Sequence, residues 1–374
     1  MQAPMSKIRV VTLALAVIVL LTLTYFRMRA QGAPPGPGKA DLGSPLPLSA
    51  PDKTNAPLAF GGKTMGTTYS VKYRPGLVGA RAAQQAVEAA LAEVNHTFST
   101  YDPKSEVSLF NSAPAAQPLR VTQDFLFVFQ LAQSIHDKTS GAFDLTVRPL
   151  VQAYGFGAPP HHRGAIDPAR LGQLRQIVGM HLVHREAQTL SKSKSGVQLD
   201  FGGIAKGFGV DRAAEALQKL GILHYLVEVG GEIRVLGKKS ESSPWTLAIE
   251  QPDPQRRIVH GTLRLSPKGG AIATSGDYRN FRTVGGRRIS HTFDPRTLTP
   301  TPQRTASVSV IRPTAAEADA LATALGVLTP EEAILRADKW GWAVYLLVHG
   351  KGPGDALRSV QSEAFSLLEF SKPD

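Results

Sequence analysis

Residues 223–237 read LHYLVEVGGEIRVLG. Tyr225, Val227 and Val229 alternate with their neighbours, then Ile233 and Val235 do the same beyond Gly230-Gly231. Two alternating runs separated by a glycine pair predict a β-hairpin with a two-residue turn. A hairpin makes its sheet antiparallel at that point. Working outward, further strands are predicted at Thr67–Tyr73, in WTLAIEQP from Trp245, in GAIATSG from Gly270, in ASVSVI from Ala306 and in WAVYLLVHG from Trp342. GVQLDFGG, from Gly196, reads as a strand running into a glycine turn. Helices are predicted over 80–98, where Val87, Leu91, Val94 and Phe98 share a face, over DFLFVFQLAQSIHDKTSG from Asp124, and from Ile204 to Leu220. Hairpin-linked strands with helices between them predict an α+β fold with largely antiparallel sheets and packed helices.

The N-terminal part is different. Val10 to Phe26 is an apolar run without charge, flanked by Lys7 and Arg9 before it and Arg27 and Arg29 after it. It predicts an N-terminal hydrophobic helix acting as a single-pass anchor. A cleaved signal ending near Ala30-Gln31-Gly32 and a buried helix are the alternatives. The flanking charges balance, so they do not fix an orientation. Pro, Gly, Ala and Ser dominate the next stretch, which predicts a tether. The expected division is a short segment 1–9, an anchor or signal 10–26, a linker 27–57 and a globular domain 58–374.

There are no cysteines, which excludes thiol catalysis, disulfides, Cys-based metal sites and a lipoprotein anchor. The formal charge of +12 invites a nucleic-acid reading. Four of those charges fall in the first 55 residues, where Lys7, Arg9, Arg27, Arg29, Lys39 and Lys53 face only Asp41 and Asp52. The other basic residues are scattered without aromatic interleaving, so no nucleic-acid partner is expected.

Four stretches carry side chains suited to chemistry. DFGGIAKGFGVD, from Asp200, places glycines between a predicted strand and a helix, where backbone N–H groups attract phosphate; a plain glycine turn is the alternative. It lacks the Ser/Thr that the P-loop needs after its Lys. RPTAAEADALATAL, from Arg312, opens with Thr314 and Glu317 as a capping box. It then sets Asp319 and Thr323 one turn apart, either as hard oxygen ligands or as a dipole-complementing Asp and a back-bonded Thr. SHTFDP holds His291, a base or a loop cap. SGAFD holds Ala142, Phe143 and Asp144, a ring-binding pocket or a core turn. Tyr101 is a ring-stacking or a surface residue, and Met65 reads as core.

Taken in order, MGTTYSV, FSTYDPKSEVSLFN, SGAFDLTVRPLV, DFGGIAKGFGVD, VEVGGEIRVLG, TSGDYRNF, SHTFDP and EADALATAL resemble the ApbE family, the FAD:protein FMN transferases, over about residues 60–370. The resemblance implies a T-fold-like domain that transfers the FMN moiety of FAD to a Thr or Ser hydroxyl of an acceptor protein, with Mg²⁺ at the pyrophosphate. It implies FAD contacts at Met65, Tyr101, Ala142, Phe143, Asp144, Gly202, Phe208 and Phe293. It implies a metal held by the Ala205 carbonyl, Asp319 and Thr323, and a catalytic role for His291. Some members carry a second Asp where this chain has Ala322, which leaves the implied coordination sphere thinner. The implied acceptors are flavoprotein subunits of membrane redox complexes or extracytoplasmic reductases. With the apolar run, this leads to an expected inner-membrane location with the catalytic domain on the periplasmic side, or a cleaved secreted form. An FAD-binding protein and an FAD pyrophosphatase are the alternative functions.

Overall fold

Every neighbouring pair of strands in the principal sheet is antiparallel, and the eight strands lie in the order in which the chain makes them. They are β1 (Leu58–Thr64), β2 (Thr67–Tyr73), β3 (Tyr225–Val229), β4 (Glu232–Leu236), β5 (Gly270–Gly276), β6 (Thr305–Arg312), β7 (Ala343–Val348) and β8 (Arg358–Gln361). The structure, a computed structural model, describes residues 56–157, 166–253, 255–276, 281–284, 287–301, 304–350 and 356–373. The anticipated hairpin is β3–β4, with Val229 opposite Glu232 and both turn glycines at positive φ. The β1–β2 hairpin turns on Met65-Gly66, where Met65 itself adopts φ 49°. That conformation costs an ordinary side chain energy, so the turn is held by its surroundings.

Long excursions leave the sheet and return. The helices α1 (Ala80–Phe98), α2 (Gln123–Lys138), α3 (Ala205–Lys219), α4 (Ala315–Val327) and α5 (Pro330–Trp340) arise in them. Helix α1 buries Ala83, Val87, Leu91, Val94 and Phe98 on the anticipated stripe. Val344, Leu346 and Val348 of β7 face the helix-side core, while Tyr345 and Leu347 face a second core. That second core is closed by a three-stranded sheet of Thr246–Gln251, Ile258–Arg264 and Glu369–Ser371. Burial on both faces is why the segment from Trp342 reads as one apolar run. The fold is mixed α/β with mostly antiparallel sheets, as the sequence predicts.

Helices α3 and α4 meet with almost no gap. A Cβ at Gly207 would lie 2.2 Å from the Ala315 carbonyl oxygen, so only glycine fits. Asp211 of α3 accepts from the N–H groups of Ala315 and Ala316, at 2.9 and 2.8 Å, capping α4. Burial raises the Asp211 pKa, although Arg234 and the two N–H groups pull it down.

Three expectations change. GVQLD joins no ladder: the Asn111 side chain takes the part of a neighbouring strand, accepting from Leu199 N–H and donating to its carbonyl. The capping box at α4 is half made, because Thr314 accepts from Glu317 N–H while the Glu317 carboxylate pairs with Arg312 at 2.9 Å. The expected inner-membrane location with a periplasmic catalytic domain is also corrected. Among the described residues no helix is long and apolar enough to cross a membrane. Even α1, with 19 residues, carries Arg81, Gln84, Glu88 and Glu93. The apolar run 10–26 lies outside the described residues.

Gly207→Ala should lower stability by about 2 kcal/mol or more, as overpacking against backbone does. Gly172→Ala, in open space on the helix Pro168–Leu174, should be neutral or stabilising. Urea unfolding of the two variants checks this.

Candidate functional site

The site is built where α3 begins. Segment 197–201 leads into Gly202 and Gly203, and α3 starts at Ala205 after Ile204, whose own side chain makes no cap. The N–H of Gly207, in the first turn, is one of those that a helix start leaves without an internal acceptor. It donates to Asp319 Oδ2 of α4, at 3.0 Å. The Gly203 carbonyl, just before the helix, accepts from the Thr323 hydroxyl at 3.5 Å. Asp319 and Thr323, one turn apart on α4, therefore both reach the start of α3. The backbone oxygen set beside Thr323 is that of Gly203; Ala205 lies inside the first turn of α3, where its carbonyl faces the Gly209 N–H.

The helix start meets oxygens of three kinds: the Asp319 carboxylate, the Thr323 hydroxyl and the Gly203 carbonyl. A small hard cation takes such donors, so these residues fit one. Among the described residues no group of three or more His, Asp or Glu forms a metal cluster. A cation held here would have one carboxylate and neutral oxygens.

Beside Asp319 lies a buried ion cluster that sequence reasoning missed. Lys206 Nζ is 2.7 Å from Glu232 Oε1 and 3.5 Å from Asp319 Oδ1. Burial works against the Lys206 charge, yet Asp319 and Glu232 hold its pKa above the ordinary lysine value. Burial raises Glu232 above the usual carboxylate range, against the pull of Lys206.

Phe143 closes the other side. A Cβ at Gly203 would lie 3.0 Å from Thr323 and 3.3 Å from the Phe143 ring. The SGAFD loop passes through Ser140 and Gly141, both at positive φ. His136 Nδ1 lies 2.8 Å from the Phe143 carbonyl. Asp144 is buried and caps the following turn, accepting from Thr146 N–H and hydroxyl and from Met180 N–H. Burial raises its pKa despite these bonds and His136. Gly141 packs against Arg296, whose guanidinium holds Asp294, so this loop abuts the HTFDPR loop.

The remaining sequence candidates are distributed around this centre. Met65 packs against Gly209 of α3. Gly202 is exposed and its N–H donates to Asp200 Oδ1. Tyr101 is 71 % exposed, on the loop after α1. Ala142 is buried. Phe208 belongs to an aromatic cluster with Phe98 and Phe127, and Phe293 to a separate one with Tyr154 and Phe156. His291 is half-buried in the bend between the hairpin ending at Ser290 and the strand Phe293–Asp294. Its neighbours Ser290 and Thr292 line a cavity of about 20 Å³ with Ser275, Thr301, Thr305 and Gly326 of α4. That is room for a single water. Residues 277–280 of TSGDYRNF lie outside the described residues.

Known proteins resemble the whole chain and not this junction alone. A model of the ApbE family matches residues 65–346. The chain belongs to the ApbE family. A Haemophilus influenzae relative named FAD:protein FMN transferase is 39% identical over 336 residues, covering 87% of this chain and 96% of that protein. A Vibrio cholerae protein of the same name is 40% identical over 301 residues, covering 79% and 89%. The solved structure of the flavin transferase ApbE from Vibrio cholerae superposes with TM-score 0.77 at 36% identity, covering 84% of this chain and all of that one. An ApbE protein from Thermotoga maritima gives 0.74 at 28% identity, covering 84% and 99%.

The approach to the site is fixed by a second ApbE residue that the sequence hides. Lys192 is 1 % exposed, and its ammonium donates to the carbonyls of Phe110, Asn111 and Val197 at 3.0, 2.9 and 3.0 Å. With Asn111 it pins segment 197–201, which delivers Gly202 and Gly203. Burial lowers its pKa to about 8, from the ordinary 10.5. The folded protein thus releases this proton earlier than the unfolded chain. The contribution of Lys192 to stability should be smallest below pH 8, rise between pH 8 and 10.5, and be complete above that. Lys192→Met should lack this rise and leave three carbonyls unpaired. The stability gap between the two proteins should widen from pH 7.5 to 10, measured by urea unfolding.

Proposed function

We propose that the chain is a flavin transferase that moves the FMN moiety of FAD onto a Thr or Ser hydroxyl of an acceptor protein, releasing AMP. The observation that carries the reading is the junction where Asp319 receives the Gly207 N–H and Thr323 meets the Gly203 carbonyl, in a chain whose relatives carry the name FAD:protein FMN transferase. We place the transferase domain at residues 58–374.

The Gly203 carbonyl, Thr323 and Asp319 would hold Mg²⁺. Bound there, Mg²⁺ would neutralise charge on the FAD pyrophosphate and on the departing AMP. The family resemblance gives the backbone oxygen to Ala205, two residues on; the Gly203 carbonyl is preferred because Thr323 meets it. At the start of α3 the N–H groups of Ile204, Ala205 and Gly207 are engaged, so a phosphate would meet those of Gly203 and Lys206. Phe143, against Gly203, gives a ring contact, supported by Ala142, Asp144, Met65 and Gly202. Tyr101, exposed on the loop after α1, would stack on a bound ring. Phe208 and Phe293, both buried, support the walls. In the reaction the acceptor oxygen bonds to the FMN-side phosphorus and the phosphorus–oxygen bond to AMP breaks. His291 accepts the hydroxyl proton. The acceptor is a flavoprotein subunit or reductase with an accessible Thr or Ser.

Asp319→Asn keeps an acceptor for the Gly207 N–H but loses the charge. It should lower FMN transfer about 100-fold or more at limiting Mg²⁺, and Thr323→Val should lower it less, as removal of a neutral ligand does. Mass spectrometry of an acceptor incubated with FAD and Mg²⁺ reads this as a gain of one FMN. Free FMN with no modified acceptor would mark a pyrophosphatase instead.

His291→Ala should bind FAD as before and turn over about 10²–10⁴-fold more slowly, the usual contribution of a general base. Flavin fluorescence titration and single-turnover kinetics separate the two. Weaker binding with an unchanged saturated rate would make His291 a binding residue.

A further inference from the structure

Lys206 and Glu232 have no part in the reaction as derived so far. They nevertheless sit against its only acidic ligand. Asp319 commits Oδ2 to the Gly207 N–H, so Oδ1 is the oxygen left for a cation. That oxygen faces Lys206 Nζ at 3.5 Å. The same ammonium is closer to Glu232 Oε1, at 2.7 Å. Glu232 is 3 % exposed, and its Oε2 has no hydrogen-bond partner. A buried carboxylate with an idle oxygen can take more positive charge than it now holds. The lysine stem has a fixed path to both acids, since it rests on the β3–β4 turn: a Cβ at Gly230 would lie 3.2 Å from Lys206 Cδ.

Resting on the reading of Asp319 as a metal ligand, we propose that Lys206 is a built-in rival of the divalent cation, neutralising Asp319 Oδ1 until the metal arrives and then withdrawing onto Glu232. Either way, neither buried carboxylate is left uncompensated. The movement is short, because the ammonium is already at hydrogen-bond distance from Glu232. A monovalent ion gains no charge over an ammonium that is already present, whereas a divalent ion does. The arrangement therefore admits divalent cations selectively, with one carboxylate ligand and Ala322 at the neighbouring position.

The test is Mn²⁺ binding to the full chain, read by the loss of the free Mn²⁺ electron paramagnetic resonance signal, with and without FAD. Lys206→Met should bind Mn²⁺ about tenfold more tightly, and Glu232→Gln about tenfold more weakly, because it leaves the ammonium to Asp319 alone. In the Lys206→Met background Glu232→Gln should change little, since there is no ammonium to reseat. Lys206→Arg retains the charge and should stay as weak as the unmutated protein or weaker; it serves if Lys206→Met does not fold by circular dichroism. Equal effects of Glu232→Gln in both backgrounds would reduce the pair to a background field and overturn the handover. So would unchanged affinity in Lys206→Met. Failure of the underlying reading looks different: the unmutated protein binds no Mn²⁺, or Asp319→Asn binds it equally well, and the handover falls with it.

Discussion

Two helices cap each other. Asp211 of α3 satisfies the first N–H groups of α4, and Asp319 of α4 takes an N–H from the first turn of α3. Each bond is the kind that contributes about 1 kcal/mol at a helix end. Their joint effect is geometric. The helices must touch at Gly207, and that close approach brings Thr323 of α4 to the Gly203 carbonyl just before α3. The functional site follows from the contact of two helix starts.

What surrounds this junction is stiff and largely satisfied. Asn111 and Lys192 hold the incoming segment through carbonyls and one amide, with no carboxylate involved. Arg296 and His136 hold the SGAFD loop from the other side. Buried polar groups in complete networks specify one arrangement at the expense of desolvation. The idle oxygen of Glu232 stands out against that background.

Much of this was legible before the structure, and the reasons are local. The glycine pair at 230–231 and the alternation around it carry the hairpin by themselves. Asp319 and Thr323 are one helical turn apart in any helix, so their shared face needs no tertiary information. The ordered motifs led to the ApbE family. What stayed hidden depends on partners far away in the chain. Alternation in Val197–Phe201 resembles a strand, but a side-chain amide replaces the neighbouring strand. Lys192 looks like an ordinary exposed lysine until three carbonyls enclose it. Lys206 sits among glycines and Glu232 begins a strand, and nothing near either one signals that they meet. The apolar run 10–26 was readable as composition, yet the described helices offer no membrane span.

The order of the sheet has a consequence for synthesis. Strand β2 pairs with β3, but some 150 residues are made between Tyr73 and Tyr225. At ordinary ribosomal speeds that is on the order of ten seconds during which the first hairpin leaves the ribosome with one edge unpaired. Closing so large a loop costs little more entropy than closing one half its length, but it delays the contact. The polar residues on that edge, Ser70 and Lys72, are the ones a growing chain needs to keep such a hairpin from finding another copy first. The finished domain places both residues against β3, where Ser70 bonds Glu228. The β1–β2 hairpin is thus made early and secured only after the segment that carries the Gly203 carbonyl has already emerged.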